Sequence, residues 1–231
     1  MDLDAPSNRQ AVRYGARFVD RFGESESFFE SDGRGMVLSF RDLTFSTDGH
    51  SNIEWLTLQG DPTAAEGKAV VGSEGELREG TIEVGLAVDA VVGADIRPAV
   101  LRMTIIFTDD EAQYAFSLVL DLDGELHGPA VGGEEFEAAL DRLRALLPDG
   151  VRLRMCGTCL LSNNGIYRND PSGRSCYRSS PAQALTARWT GNTKTGWPPR
   201  TEEVADFHVC SQWIPSEVRT WLRGTRLDPP S

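Results

Sequence analysis

Through the middle of the chain, apolar side chains fall on every second residue. Ile82, Val84, Leu86, Val88, Ala90 and Val92 do so across 81–92. Leu101, Met103, Ile105 and Phe107 repeat the pattern, as do Phe116, Leu118, Leu120 and Leu122. Successive side chains of a strand point to opposite faces, so each segment has one buried and one wetter face. Such strands, joined by short polar turns like Asp109-Asp110, pair antiparallel rather than forming a parallel sheet covered on both sides. Nearer the N-terminus, 14–20, 27–30, 36–45 and 53–58 read as further strands. A turn spans 21–25, and Asp32-Gly33 signals a hairpin because Gly permits positive φ. Residues 60–80, rich in Gly and Glu, read as a long exposed loop.

One helix is expected over 134–147. Phe136, Leu140, Leu143 and Leu147 share a face at helical spacing. Glu134 and Glu135 suit the positive end of the helix dipole, and Arg142 and Arg144 suit the other end. Pro148-Asp149-Gly150 stops it, and 151–155 is a short strand leading into Cys156. Beyond Cys159 the chain holds few aliphatic residues. Helices are expected at 182–188, 202–207 and 216–223, and a loop at 191–200. Trp189, Trp197, Trp213 and Trp221 lie in this part. The expected fold class is α+β, mostly β: an antiparallel β-sandwich or curved sheet, one amphipathic helix, and a small C-terminal module stabilised by four cysteines. The expected units are a disordered N-terminus (1–11), a β domain (12–155) and a C-terminal module (156–231) packed on it.

Charge divides along the same line. Residues 1–150 carry 12 Lys+Arg and 29 Asp+Glu, a net −17, and 151–231 carry 11 and 6, a net +5; together they give the chain's −12. The acidic balance argues against general nucleic-acid binding, which needs a basic surface. It fits attraction between the two parts of the chain, or a basic protein partner. No run of about 18 apolar residues is present, so no membrane-spanning helix is expected. The polar first ten residues lack the apolar core of a secretory signal, which makes the cytoplasm the expected compartment, where disulfides rarely persist.

The four cysteines are spaced Cys156-x2-Cys159-x16-Cys176-x33-Cys210. The close pair puts two sulfurs on one tight turn, and the other two ligands come from separate segments. Four thiolates converging this way suit a closed, structural zinc site. The alternatives are buried unligated thiols, a disulfide or redox Cys-x-x-Cys pair, and an iron–sulfur cluster. A metal would supply the stability that a segment so poor in aliphatic residues lacks. His208, two residues before Cys210, is a reserve ligand.

These residues resemble an uncharacterised bacterial family, common in actinobacteria and known only as a domain of unknown function. The similarity runs through Ala16-Arg-Phe-Val-Asp-Arg-Phe-Gly23 and Leu147-Pro-Asp-Gly150. It continues through Cys156, Cys159, Ser162, Pro171-Ser-Gly173 and Cys176-Tyr177-Arg178, and ends on Asp206-Phe-His-Val-Cys210. The chain departs at Asn163-Asn164, where an acidic-aromatic pair is expected. The resemblance implies the metal site and brings no activity with it.

No dinucleotide fingerprint, Walker A loop, nucleophile elbow or His-Glu-x-x-His occurs in the sequence. No catalytic residue is assigned. The expected function is a non-enzymatic, zinc-binding, acidic protein-interaction module of adaptor or immunity type. One alternative is an enzyme with its site in loop 162–178, using Asn163, Asn164, Tyr167, Asp170 and Arg178. The other is nucleic-acid contact through Arg168, Arg174, Arg178 and the tryptophans. The sequence leaves the oligomeric state open.

Overall fold

The computed structural model describes residues 12–31, 35–47, 56–108, 113–133, 135–164, 174–184, 202–204 and 207–215. The Asp32-Gly33 and Asp109-Asp110 turns lie outside them, as do residues 1–11, the loop at 191–200 and the helix expected at 216–223. The fold is mostly β. The strands are β1 (Val12–Asp20), β2 (Gly23–Ser31), β3 (Met36–Phe40), β4 (Leu43–Ser46), β5 (Thr57–Leu58), β6 (Val70–Val71), β7 (Leu77–Val92), β8 (Asp95–Thr108), β9 (Gln113–Leu122) and β10 (Glu125–Gly133). Helix α1 (Phe136–Leu146) and strand β11 (Val151–Arg154) follow. All eleven strands join one antiparallel sheet in the order β10-β9-β8-β7-β1-β2-β3-β4-β5, with β6 and β11 both on β7. Among the described residues, no helix is long and apolar enough to cross a membrane.

The period-two pattern decides which face is buried. Ile82, Val84, Leu86, Val88 and Ala90 of β7 point inward with Leu101, Met103 and Ile105 of β8 and Phe116, Leu118 and Leu120 of β9. They share one core with Phe18, Leu38, Phe40 and Phe45 from the other half of the sheet. Rings of Phe18 and Phe40 stack at 3.8 Å although β2 runs between their strands; the small Ser25 and Ser27 face them there and leave the room. Helix α1 covers β9 and β10 with Phe136, Ala139, Leu140 and Leu143, and Phe136 meets Phe116 edge-on at 5.7 Å. Gly132 allows that approach, since a Cβ there would collide with the Ala139 amide. β10 pairs with β9 through two register shifts.

Three local readings are corrected. Residues 36–45 are not one strand: Arg41 and Asp42 break it with φ of 47° and 61°. Both positive angles suit a tight two-residue hairpin, a shape normally supplied by Gly or Asn. Here a side chain stabilises it. The Arg41 guanidinium bonds both carboxylate oxygens of Asp20 at 2.9 Å, the Lys68 carbonyl at 2.6 Å and the Gly23 carbonyl at 2.5 Å. The stretch 60–80 is not a plain exposed loop. Asp61 caps a 3-10 turn (Pro62–Ala65) by accepting the Thr63 amide at 2.9 Å. Ala65, Ala69 and Leu77 are buried there, β6 forms, and β7 begins at Leu77 rather than at 81. The turn expected at 21–25 is shorter, because β2 already starts at Gly23.

The other face of the sheet is open. It carries Arg17, Glu26, Phe28, Glu83, Val100, Arg102, Ile106, Leu126 and Val131. Phe28, Val100, Ile106, Leu126 and Val131 are 40–57% exposed. Ion pairs run across the strands, Arg17 to Glu24 (3.1 Å) and to Glu83 (2.6 Å), Arg13 to Glu30 (3.3 Å), and Arg102 to Asp121 (2.5 Å). In water such pairs add little stability, about 0–1 kcal/mol each, and their main effect is on the character of the face.

Two substitutions test this account by thermal or denaturant unfolding. Arg41→Ala strands the fully buried Asp20 carboxylate and is expected to cost about 3 kcal/mol or more. Gly80→Ala is expected to cost at least roughly 2 kcal/mol, because φ there is +138° and the new Cβ meets the Phe18 ring. Wild-type stability in either variant would refute the corresponding contact.

Candidate metal centre

The four cysteines sit at the end of β11, where the main core gives way to a second cluster. Leu153 and Met155 still belong to the sheet's core, and Cys156 does not. Cys156–Thr158 forms a 3-10 turn, closed by the Cys159 amide donating to the Cys156 carbonyl at 3.1 Å. Thr158 organises it. Its hydroxyl lies 2.6 Å from the Leu153 carbonyl and 3.0 Å from that of Met155, and it receives the Met155 amide at 3.4 Å and the Trp213 indole N–H at 3.2 Å. The Ser162 hydroxyl reaches the carbonyls of Cys156 (2.5 Å) and Cys159 (3.0 Å). Short-range polar bonds of this kind satisfy backbone groups that would be costly to bury unpaired.

A small three-stranded antiparallel sheet follows, β12 (Ser162–Asn164), β13 (Arg174–Cys176) and β14 (Glu202–Val204), in which Cys176 pairs with Ser162 and Glu202. β14 corrects the helix expected at 202–207: Val204 packs inward against Cys156, Cys176 and Cys210, and a ladder with β13 claims the backbone. Ala184 closes a short helical turn within the stretch expected as helix at 182–188; residues 185–188 lie outside the described residues.

All four thiols are buried, at most 6% exposed, and no disulfide links them. Cys156, Cys176 and Cys210 share one cluster around Val204. Cys159 belongs to the adjoining one with Leu161, Tyr177 and Ala184, against which Trp213 and Ile214 pack. The Leu161 amide donates to Cys159 Sγ at 3.4 Å, and Arg178 Nη1 faces Cys210 Sγ at 4.0 Å. The segment bearing Cys210 is held in place by the Cys156 amide on the His208 carbonyl at 2.8 Å, and by Arg154, which bridges Asp89 of β7 and the Cys210 carbonyl, both at 3.1 Å. As placed, however, no group of three or more His, Cys, Asp or Glu side chains among the described residues could hold a metal ion. The donor chemistry fits a thiolate metal; the grouping of the sulfurs is looser than one requires.

Of the other residues singled out in the sequence, Asn163 and Asn164 lie on β12, Arg174 on β13 and Arg178 just beyond it. Tyr167, Arg168, Asp170, Trp189, Trp197 and Trp221 lie outside the described residues. Sequence reasoning missed Thr158, Arg154 and Phe207. Phe207 reaches back into the main core, edge-on to Tyr14 at 5.3 Å and 6.2 Å from Phe29. Burial there pushes the Tyr14 phenol above its ordinary range. A cleft of about 390 Å³ runs beside the cysteine turn between α1 and β11, lined by Asp141, Arg144, Arg152, Thr158 and Trp213 among others.

Residues 12–162 match the family model DUF6304, a family of unknown function, and the chain belongs to that family. The matched span holds the main sheet, α1 and the Cys156–Cys159 turn, and ends before Cys176 and Cys210. No curated protein and no solved structure matches the chain.

Thr158→Val removes the hydroxyl on which the turn depends, at an expected cost of about 1–3 kcal/mol. Cys156 and Cys159 should then react faster with iodoacetamide than in the wild type, followed by mass spectrometry. Equal rates would show that the turn forms without the hydroxyl.

Proposed function

We propose that this protein is a non-enzymatic binding protein: an acidic interaction module that engages a basic protein partner in the cytoplasm, with a structural zinc pinning its C-terminal part. The observation that carries the binding role is the open face of the sheet. Phe28, Val100 and Ile106 stand exposed there in strands of regular alternation, with Leu126 and Val131 on the irregular β10. Phe28, Val100 and Leu126 of this set line one trough, and exposed apolar side chains grouped within a polar rim mark interaction sites. Carboxylates outnumber guanidiniums around it, with Glu24, Glu26, Glu30, Glu83 and Asp121 against Arg13, Arg17 and Arg102. That surplus, within a region of net −17, favours and steers a basic partner.

Zinc would be held by Cys156, Cys159, Cys176 and Cys210 as thiolates, and it would supply a cross-link between segments distant in sequence. Support comes from their burial in adjoining clusters and from the amide and guanidinium that face two of the sulfurs. Binding would draw the sulfurs closer than their present packing.

Elemental analysis of purified protein is expected to give about one zinc per chain, the stoichiometry of a closed four-thiolate site. Cys156→Ser and Cys176→Ser should lose it and unfold the C-terminal third, with the β-sheet circular dichroism largely retained. Metal-free protein with four thiols titrating as readily as in these unfolded tails would sink the zinc reading. For the binding role, tagged protein should retain a basic protein from lysate at low salt and release it as salt is raised. Failure to retain any would count against it.

A further inference from the structure

We infer that the open face of the sheet holds a built receptor for arginine or lysine side chains on an extended segment of the protein partner. The inference rests on the binding role proposed above and locates its contact. A trough of about 890 Å³ lies on that face. Its floor is made by two glycines, Gly15 of β1 and Gly85 of β7. Ala16 pairs with Val84, so the glycines are the next positions along the two strands, and the β1–β7 ladder has no bulge. Neither glycine has a positive φ. A Cβ on Gly15 would meet nothing within 4 Å, and one on Gly85 would touch only Val100, at 3.4 Å. The backbone therefore does not require glycine at these places. Glycine inside a strand weakens it, and it commonly marks a close approach by a ligand or another chain. Both line the trough just beyond the end of the β1–β7 ladder, and without side chains they leave the sheet's own backbone as its floor.

The walls and rim define what fits. Phe28, Val100, Val119 and Leu126 give apolar walls. At the rim, Arg17 is committed to Glu24 and Glu83, and Arg102 to Asp121, which leaves Glu26 without an ion-pair partner among the described residues. An anionic ligand would find the trough's arginines already engaged and Glu26 repelling it. An arginine or lysine suits both features: its aliphatic stem lies along the glycine floor against the apolar walls while its charged head meets Glu26. The trough is large enough for several consecutive side chains, hence an extended segment rather than one residue. A second copy of the chain would bring the same acid surplus against itself.

The test uses the full chain and two fluorescein-labelled peptides, one alternating leucine with arginine and one alternating leucine with glutamate, followed by fluorescence anisotropy. The basic peptide is expected to bind saturably and to be released by salt, and the acidic one not to bind. Gly15→Leu fills the floor without changing any charge and should weaken binding at least about tenfold. Glu26→Gln should weaken it and flatten the salt dependence. Leu126→Ala, at a site 57% exposed, serves if Gly15→Leu fails to fold: it removes part of the apolar wall without changing any charge and should weaken binding of the basic peptide, and unchanged binding would overturn the inference. No binding of the basic peptide would overturn the inference, and so would equal binding to Gly15→Leu, which would mean charge attraction alone. A wild-type dimer that Gly15→Leu dissociates in sedimentation would assign the face to a second copy and overturn it as well. If a basic partner captured by wild type is captured equally by Gly15→Leu, the binding role stands and the trough is not its site.

Discussion

The fold depends on the hydrogen bonding of β7. Its sixteen residues span roughly 50 Å at strand geometry, longer than any partner but β8 can follow. On one edge β8 pairs with it over 80–92. On the other edge two strands share the length, β1 in the middle and β11 at its end, while β6 pairs with its start. Every inward side chain of β7 from Ile82 to Ala90 is buried, so the strand is both the hydrogen-bonding centre and the spine of the core. Through β1 it organises β2 to β5, and through β8 it organises β9, β10 and α1. Through β11 it delivers the chain to the cysteine turn.

That last connection explains how a segment poor in aliphatic residues can be seated at all. It borrows its anchors from the larger unit. Phe207 packs its ring on both Tyr14 and Phe29, Arg154 spans from Asp89 to the Cys210 carbonyl, and the Cys156 amide holds His208. An aromatic plug, a charged strut and a backbone bond join sheet and cysteine clusters at different points. A metal cross-link among the thiols would add to a framework whose outer supports already exist.

Period-two alternation made the antiparallel, mostly-β character legible, because burial of one sheet face writes itself directly into the residues of β7, β8 and β9. Helix α1 was legible for the same reason at a different period, although it begins at Phe136 and ends at Leu146. What escaped depends on partners far away in sequence. The Arg41-Asp42 turn contains no glycine, and its positive φ angles are stabilised by Asp20, twenty-one positions earlier. Val204 reads as part of an amphipathic helix until β13 is set beside it. The four cysteines stand out by spacing, but Thr158, Arg154 and Phe207, which position them, look like ordinary residues. Gly15 and Gly85 are seventy residues apart, and only the seating of β1 beside β7 brings two unremarked glycines to one trough.

The irregular pairing of β10 has a consequence for the molecule in a crowded solution. A wide sheet ending in a straight, unpaired strand invites another chain to continue it, the route to fibrillar stacking. Here the final strand shifts register twice against β9, and α1 lies close over Gly132 with Arg142 bonded to the Val131 carbonyl. A backbone acceptor at that border is thus occupied from within and the line of the strand is broken. The protein can keep a broad, partly greasy face exposed because the border beside it offers a poor template for growth.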